Sequence, residues 1–286
     1  MRYFQTSDGR GRAVVVERDD ELFDLSETEA RIDSFREFAR AAAIADRSLA
    51  DLTAALCEEA PAVERAGVRS DLLMPVRPDE IWGAGVTYAI SQEDRQAEGG
   101  LGETYLDAYE AERPEVYFKA TPTRTVGPGE AVGIRGDSEW NVPEPELSLV
   151  LLDGEIVGYT VGNDMCSREI ERENLLYLPQ SKIYDRSCAV GPAVALVDDP
   201  HDLEMSMTIE RDGETVFADS TSTGEMVRTC EELASYFRRH NYVPELTVLL
   251  TGTSIIPPTD VTLHEGDTVA ITIEDIGTLE NKVVEV

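Results

Sequence analysis

The chain has 286 residues, 42% of them hydrophobic, enough for one large domain or a large domain with a small companion. It carries 57 acidic against 25 basic residues, a formal net charge of −32, which argues against nucleic acid and anionic membranes as partners. No segment comes near the ~20 apolar residues of a membrane span, and the opening residues MRYFQTSDGRGRAVVVERDDE lack the sections of a signal peptide, so a cytoplasmic protein is expected. In chain order, residues 1–75 read as a small α+β lobe: two strands around Asp8-Gly9, then helical patterns in ETEARIDSFREFARAAAIA and SLADLTAALCEEAPAVERA, the second capped by Ser48 or Asp51. LLMPVRPDE is the connection to a strand-rich unit, residues 76–286. There IWGAGVTY and EVYFKA read as strands on either side of an acidic helix from about Gln92 to Ala111, and ELSLVLLDGEIVGYTVGND as a hairpin on Asp153-Gly154. CSREIERENLLY begins a helix with Ser167 as its cap. AVALV, a second Asp-Gly hairpin in MSMTIERDGETVFA, the helix GEMVRTCEELASYFRRHN, LTVLLTG and a final pair of alternating strands complete the chain.

The acids are scattered through these periodic segments instead of forming a tail, and only three of the basic residues are lysine: Lys119, Lys182 and Lys282. An acidic, lysine-poor surface fits a cytoplasm of very high salt, where counterions screen the repulsion, so the reading is a halophile, an archaeon. Against that background a lysine inside a motif carries more weight. Cys57, Cys166, Cys188 and Cys230 show no zinc or redox spacing and read as free thiols. His201, His240 and His264 lie far apart, and no glycine-rich phosphate loop is present.

Three acids stand out in NVPEPELSLVLLDGEIVGYTVGNDMCSRE. Side chains two apart on a strand share a face, so Glu144 and Glu146 project together while Leu147, Leu149 and Leu151 face the core. The antiparallel return brings Asp164 to the same end of the hairpin. A strict two-residue turn would put Asp164 on the opposite face; a bulge, or an early exit from the strand, is needed to turn it inward. Three converged carboxylates favour a divalent cation, and oxygen-only ligands select Mg²⁺, Mn²⁺ or Ca²⁺ over zinc. The plain alternative is a solvated face in a very acidic protein.

EPELSLVL followed by VGYTVGNDMCSREIE resembles the ExE…D metal core of the fumarylacetoacetate hydrolase superfamily. GAGVTY resembles its opening loop, RPEVYFKATPT its P-x-x-F-x-K-P strand, QSKIYDRSCAVGP its G-K-x-x-D segment and LLTGT its late L-x-T-G-T loop, in the same order over about residues 80 to 255. Two departures matter. The histidine that family hydrolases carry after the loop tyrosine is missing, and FKATP replaces the usual K-P. The histidine-free form most closely resembles the superfamily's archaeal 2-dehydro-3-deoxy-pentonate dehydratases.

The resemblance implies a mixed β-roll catalytic domain with a small α+β N-terminal lobe, in a homo-oligomer. It implies Mg²⁺ on Glu144, Glu146 and Asp164, with Lys182 on the substrate as a catalytic cation. Lys119, Arg168 and Thr253 would also touch substrate, and Glu115 would transfer a proton. The substrate implied is a 2-keto-3-deoxy sugar acid, whose carboxylate and ketone suit the open positions of the metal. Each residue has a duller alternative: a strand-edge stem for Lys119, a pair with Glu171 for Arg168, a turn hydroxyl for Thr253, a solvated carboxylate for Glu115. Rival activities on the same fold are acylpyruvate hydrolysis and 2-oxo acid decarboxylation; a non-enzymatic acidic cation-binding protein is the rival of another class.

Overall fold

A computed structural model describes residues 1–8, 11–29, 31–70, 72–89 and 102–286. The chain opens with β1 (Arg2–Asp8), β2 (Gly11–Arg18) and β3 (Glu21–Asp24), then the helices Phe35–Ile44 and Leu49–Cys57 and a short β4 (Leu72–Leu73). β5 (Glu80–Gly85) and β6 (Glu115–Ala120) follow, with the helix Gly102–Glu110 between them; the first part of the expected Gln92–Ala111 helix lies outside the described residues. After β7 (Thr125–Val126), β8 (Ala131–Ile134) and β9 (Asn141–Val142) come the hairpin strands β10 (Pro145–Leu152) and β11 (Glu155–Asp164). Next are β12 (Cys166–Ser167), the helices Arg168–Glu173 and Leu178–Lys182, β13 (Cys188–Ala195) and the hairpin of β14 (Glu204–Arg211) and β15 (Glu214–Ser222). The helix Cys230–Arg238, β16 (Leu246–Leu250), β17 (Thr268–Ile273) and β18 (Gly277–Glu285) close the chain.

Local chemistry sets these boundaries. The Asp153-Gly154 and Asp212-Gly213 turns have positive φ at both residues (50° and 84°, 53° and 82°), the geometry that joins right-twisted strands through two residues. Ser34, Ser48, Ser167 and Thr229 each accept a backbone N–H at a helix start. The two long helical patterns of the N-terminal region are shorter than their periodicity predicts. Ser34 starts a helix only at Phe35, a separate turn Leu25–Thr28 being capped by Asp24. The second pattern ends at Cys57, ahead of Pro61, which disfavours helical backbone in the residue before it.

The strands form a large mixed sheet in the order β3-β2-β1-β13-β11-β10-β16-β5-β6 and a second in the order β15-β14-β17-β18-β8. This is the mixed, strand-rich architecture expected of the fumarylacetoacetate hydrolase type. β16 pairs parallel with β5 and β18 with β8; the remaining pairs along these two orders are antiparallel. β1 pairs with β13 (Arg2↔Ala195), so strands of the first 75 residues continue the main sheet. β10 is buried along its whole length because both its faces are covered. Leu147, Leu149 and Leu151 join a core with Met205, Met207 and Ile271 of the second sheet. Val150 and Leu152 join a core with Phe35, Phe38 and Ala39 of the N-terminal helix. The hairpin is thus clamped between two apolar layers, a rigid mount for groups at its open end.

Candidate active site

The hairpin supplies the bulge that its acids require. Leu152 faces Glu155 and Leu151 faces Ile156, but Val150 faces Gly158, which leaves Val157 unopposed. One extra residue on β11 shifts every later partner by one, so Glu146 faces Gly162 and Pro145 faces Asn163. Asp164 then stands opposite Glu144, its N–H donating to the Glu144 carbonyl at 2.9 Å. Residues directly opposite share a face, so the three acids converge. One carboxylate oxygen from each of Glu144, Glu146 and Asp164 lies within 4.8 Å of the others. Glu146 is 1% exposed and Asp164 0%, which excludes the solvated-face alternative.

Burial pushes Glu146 well above the usual carboxylate range, reinforced by Asp164 and Glu144; burial also raises Glu144, although Lys182 opposes it. Burial alone would raise Asp164 too, but Lys119 and Lys182 hold it below its usual range. The Lys182 ammonium donates to Glu144 and lies 3.4 Å from Asp164 Oδ2. Lys119 Nζ lies 2.5 Å from Asp164 Oδ1. Three buried carboxylates therefore face two ammonium groups, and the excess negative charge is the condition that a divalent cation relieves. Hard oxygen donors on a rigid hairpin fit Mg²⁺.

The floor of the site comes from β5 and β6. Glu115, Tyr117 and Lys119 are two apart and share a face of β6. Tyr117 donates its hydroxyl to Asp164 Oδ2 at 2.5 Å, and its own acidity is suppressed by burial first and by Asp164 second. In the pairing, Gly83 faces Tyr117 and Gly85 faces Glu115. A Cβ on Gly85 would come within 2.0 Å of Glu115 Oε2, and one on Gly83 within 2.7 Å of the Tyr117 ring. The two glycines of GAG thus let both side chains fold across β5. Burial raises the Glu115 carboxyl above its ordinary value, with Lys182 opposing and Glu171 adding.

A cavity of about 380 Å³ opens over the cluster and is lined by Glu115, Tyr117, Glu144, Glu146, Arg168, Lys182 and Thr253, among others. These include all but two of the residues singled out from sequence: Asp164 lies beneath the cavity within the carboxylate cluster, and Lys119 lies behind it. Lys119 is fully buried and does not line the cavity; it donates to the Met165 and Lys182 carbonyls and pairs with Asp164. Thr253 is half-buried, its Oγ1 accepting from the Ile255 N–H at 3.1 Å. The adjacent Gly252 N–H donates to Glu146 Oε2 at 2.5 Å, and Gly252 holds φ +86° with no room for a Cβ beside Thr87.

Sequence reasoning passed over Tyr117, Glu171, Arg172 and the two β5 glycines. Tyr117 was legible in the alternation of EVYFKA. Glu171 was read only as a partner for Arg168; the two do pair at 2.5 Å, and both line the cavity with Trp140 and Arg172, the latter stacked 4.5 Å from the Trp140 ring centre. His201, His240 and His264 do not line it.

Residues 80–284 match the family model described as fumarylacetoacetate (FAA) hydrolase C-terminal. The chain is 56% identical over its whole length, and the relative's whole length, to a probable 2-keto-3-deoxyxylonate dehydratase of Haloferax volcanii. It is 46% identical over 72% of both chains to a 2-dehydro-3-deoxy-D-arabinonate dehydratase of Saccharolobus solfataricus. A solved structure of 2-keto-3-deoxy-D-arabinonate dehydratase complexed with magnesium and 2,5-dioxopentanoate superposes with a TM-score of 0.84 at 33% identity, covering 100% of this chain and 99% of the other.

Proposed function

The chain belongs to the fumarylacetoacetate hydrolase family, and from that premise we propose that it is a Mg²⁺-dependent hydro-lyase that converts a 2-keto-3-deoxy-pentonate to 2,5-dioxopentanoate in oxidative pentose degradation. The observation that carries this reading is the buried Glu144, Glu146, Asp164 cluster with Lys182 against it, under a cavity of a size for a small sugar acid. The names of the two dehydratases and the magnesium in the related structure support it.

Glu144, Glu146 and Asp164 would hold Mg²⁺, or Mn²⁺ or Ca²⁺ in its stead, and the ion would supply Lewis acidity to the carboxylate and ketone of the substrate. Lys182 would place its ammonium at the ketone oxygen, where it strengthens as negative charge develops. Thr253 would bind the acidic end. Glu115, raised by burial above its ordinary value and lining the cavity, would serve the loss of a C3 proton and of the C4 hydroxyl as water. A further proton shift from C5 to C3 and tautomerisation at C4 give the aldehyde. Tyr117 and Lys119 would act through Asp164, fixing the oxygen each of them touches. Arg168 would position the substrate together with Glu171.

No external water attacks in this reaction, which agrees with a cavity free of histidine. Acylpyruvate hydrolysis, the rival on this fold, needs such a base. In the same reading residues 76–286 form the catalytic unit and residues 1–75 a lobe against it, in a cytoplasmic homo-oligomer. The test is incubation with a panel of 2-keto-3-deoxy acids, an acylpyruvate and oxaloacetate. Aldehyde from a 2-keto-3-deoxy-pentonate alone is the expected result. Pyruvate release from the acylpyruvate, or CO₂ from oxaloacetate, with no aldehyde would overturn the reading.

A further inference from the structure

Among the described residues, two carboxylates line the cavity outside the metal cluster. Glu115 exchanges protons in the reaction above; Glu171 enters it only beside Arg168. It lies on the helix Arg168–Glu173, is 7% exposed, and faces the same space as Trp140, Arg172 and Leu178. Its Oε2 takes the Arg168 guanidinium at 2.5 Å and the Cys166 thiol at 3.6 Å. Both bonds use one oxygen, so among the described residues Oε1 is left to accept from a ligand.

On the dehydratase reading, we propose that Glu171 is a specificity-determining residue that accepts a hydrogen bond from the terminal C5 hydroxyl of the substrate, so that the cavity selects a neutral hydroxylated tail over one ending in a second carboxylate. A carboxylate fixed by a guanidinium is an acceptor only, and a hydroxyl is the donor the distal end of a pentonate offers. The chemistry at the metal end is blind to the tail: every 2-oxo acid presents the same carboxylate and ketone to Lys182 and the acid cluster. Discrimination must come from the rest of the wall, where Glu171 holds a carboxylate beside Arg168, Arg172 and Trp140. A second substrate carboxylate would be repelled there. Arg168 and Arg172, which could otherwise hold it, are engaged: Arg168 is paired with Glu171 at 2.5 Å, and Arg172 is stacked 4.5 Å from the Trp140 ring centre. The site thus attracts the right tail and repels the wrong one with the same group.

The test uses three ligands that lack the C4 leaving group, so binding is read without turnover: 5-hydroxy-2-oxopentanoate, 2-oxopentanoate and 2-oxoglutarate. Calorimetry with Mg²⁺ present should show the wild-type protein preferring the 5-hydroxy acid over 2-oxoglutarate by roughly 10²-fold and over 2-oxopentanoate by roughly 10-fold. Glu171→Gln keeps the shape and removes the charge; the preference over 2-oxoglutarate should fall to within a few-fold, with Mg²⁺ affinity unchanged. Equal weakening of all three ligands in Glu171→Gln would reduce Glu171 to a support for Arg168 and overturn the assignment. So would a wild-type protein with no preference among them, a measurement that needs no variant to fold. Failure of the dehydratase reading would appear elsewhere, as absence of 2,5-dioxopentanoate from any pentonate.

Discussion

Gly85 shows how much of the site rests on atoms that are not there. EVYFKA read as a strand and the family resemblance brought Glu115 forward, but nothing in GAG says that two missing Cβ atoms make room for Glu115 and Tyr117. That became visible only in the register of β5 against β6. The clashing atom is the tip of a flexible side chain, so Gly85→Ala should fold normally and displace the Glu115 carboxylate. Turnover should fall by roughly 10² to 10³-fold, the range of a lost proton-transfer group, with Mg²⁺ affinity and melting temperature little changed. Steady-state rates beside calorimetric Mg²⁺ titration decide this; wild-type turnover would show that Glu115 does not need its present position. Lys119 teaches the converse. Its scarcity on an acidic chain gave it weight, yet the same scarcity could not say whether it faces the substrate or, as in the structure, the back of Asp164.

At the scale of elements, the one-residue bulge at Val157 decides whether the hairpin can bind metal. Sequence parity demanded either a bulge or an early exit from the strand, but its position in EIVGYTVGND has no local signature. Deleting Val157 should restore continuous pairing and send Asp164 to the face away from Glu144. Mg²⁺ affinity should then fall by at least 10²-fold while near-native secondary structure is kept. Retained affinity would mean that the strand exits before Asp164 whatever its register.

A second element-scale device lies at the end of β14. Arg211 donates to both oxygens of Asp267 at 2.8 Å, and the His264 N–H donates to Oδ2 at 2.9 Å. Burial alone would raise Asp267, but Arg211 and the His264 N–H hold it below its ordinary value. A depressed carboxyl contributes stability above its unfolded pKa, about 3.9, and loses it as pH falls through the lower folded value. Asp267→Asn should therefore cost about 2 kcal/mol near neutral pH. Its deficit in melting temperature against the wild-type protein should hold from pH 7 to about pH 5 and shrink in stronger acid. A deficit independent of pH would assign the cost to packing instead of charge.

For the whole molecule, composition carried the most. Of the three lysines, Lys119 and Lys182 are buried at the site and Lys282 is exposed, so the surface reading of an acidic, lysine-poor protein holds, and it fits a Haloferax relative. Lowering KCl from 1 M to 0.1 M lengthens the screening distance from about 3 to about 10 Å. The melting temperature should drop by several degrees or more; an unchanged value would contradict the salt-adapted reading. The strands and the Asp153-Gly154 and Asp212-Gly213 turns were legible because period-2 patterns and Asp-Gly pairs are local signals; the turn expected at Asp8-Gly9 reaches outside the described residues. The large sheet was not. The pairing of β1 with β13 joins Arg2 to Ala195, and no local pattern encodes a partner that far along the chain.

On the proposed function, the buried carboxylate cluster makes a divalent cation obligatory for removing water from a sugar acid. The direct measurement is NMR of 2-keto-3-deoxy-pentonate incubated in molar KCl with EDTA-stripped protein, before and after Mg²⁺ is restored. 2,5-Dioxopentanoate is expected only after Mg²⁺ is added. An equal rate in EDTA, or no product with Mg²⁺ in excess, would contradict the proposal.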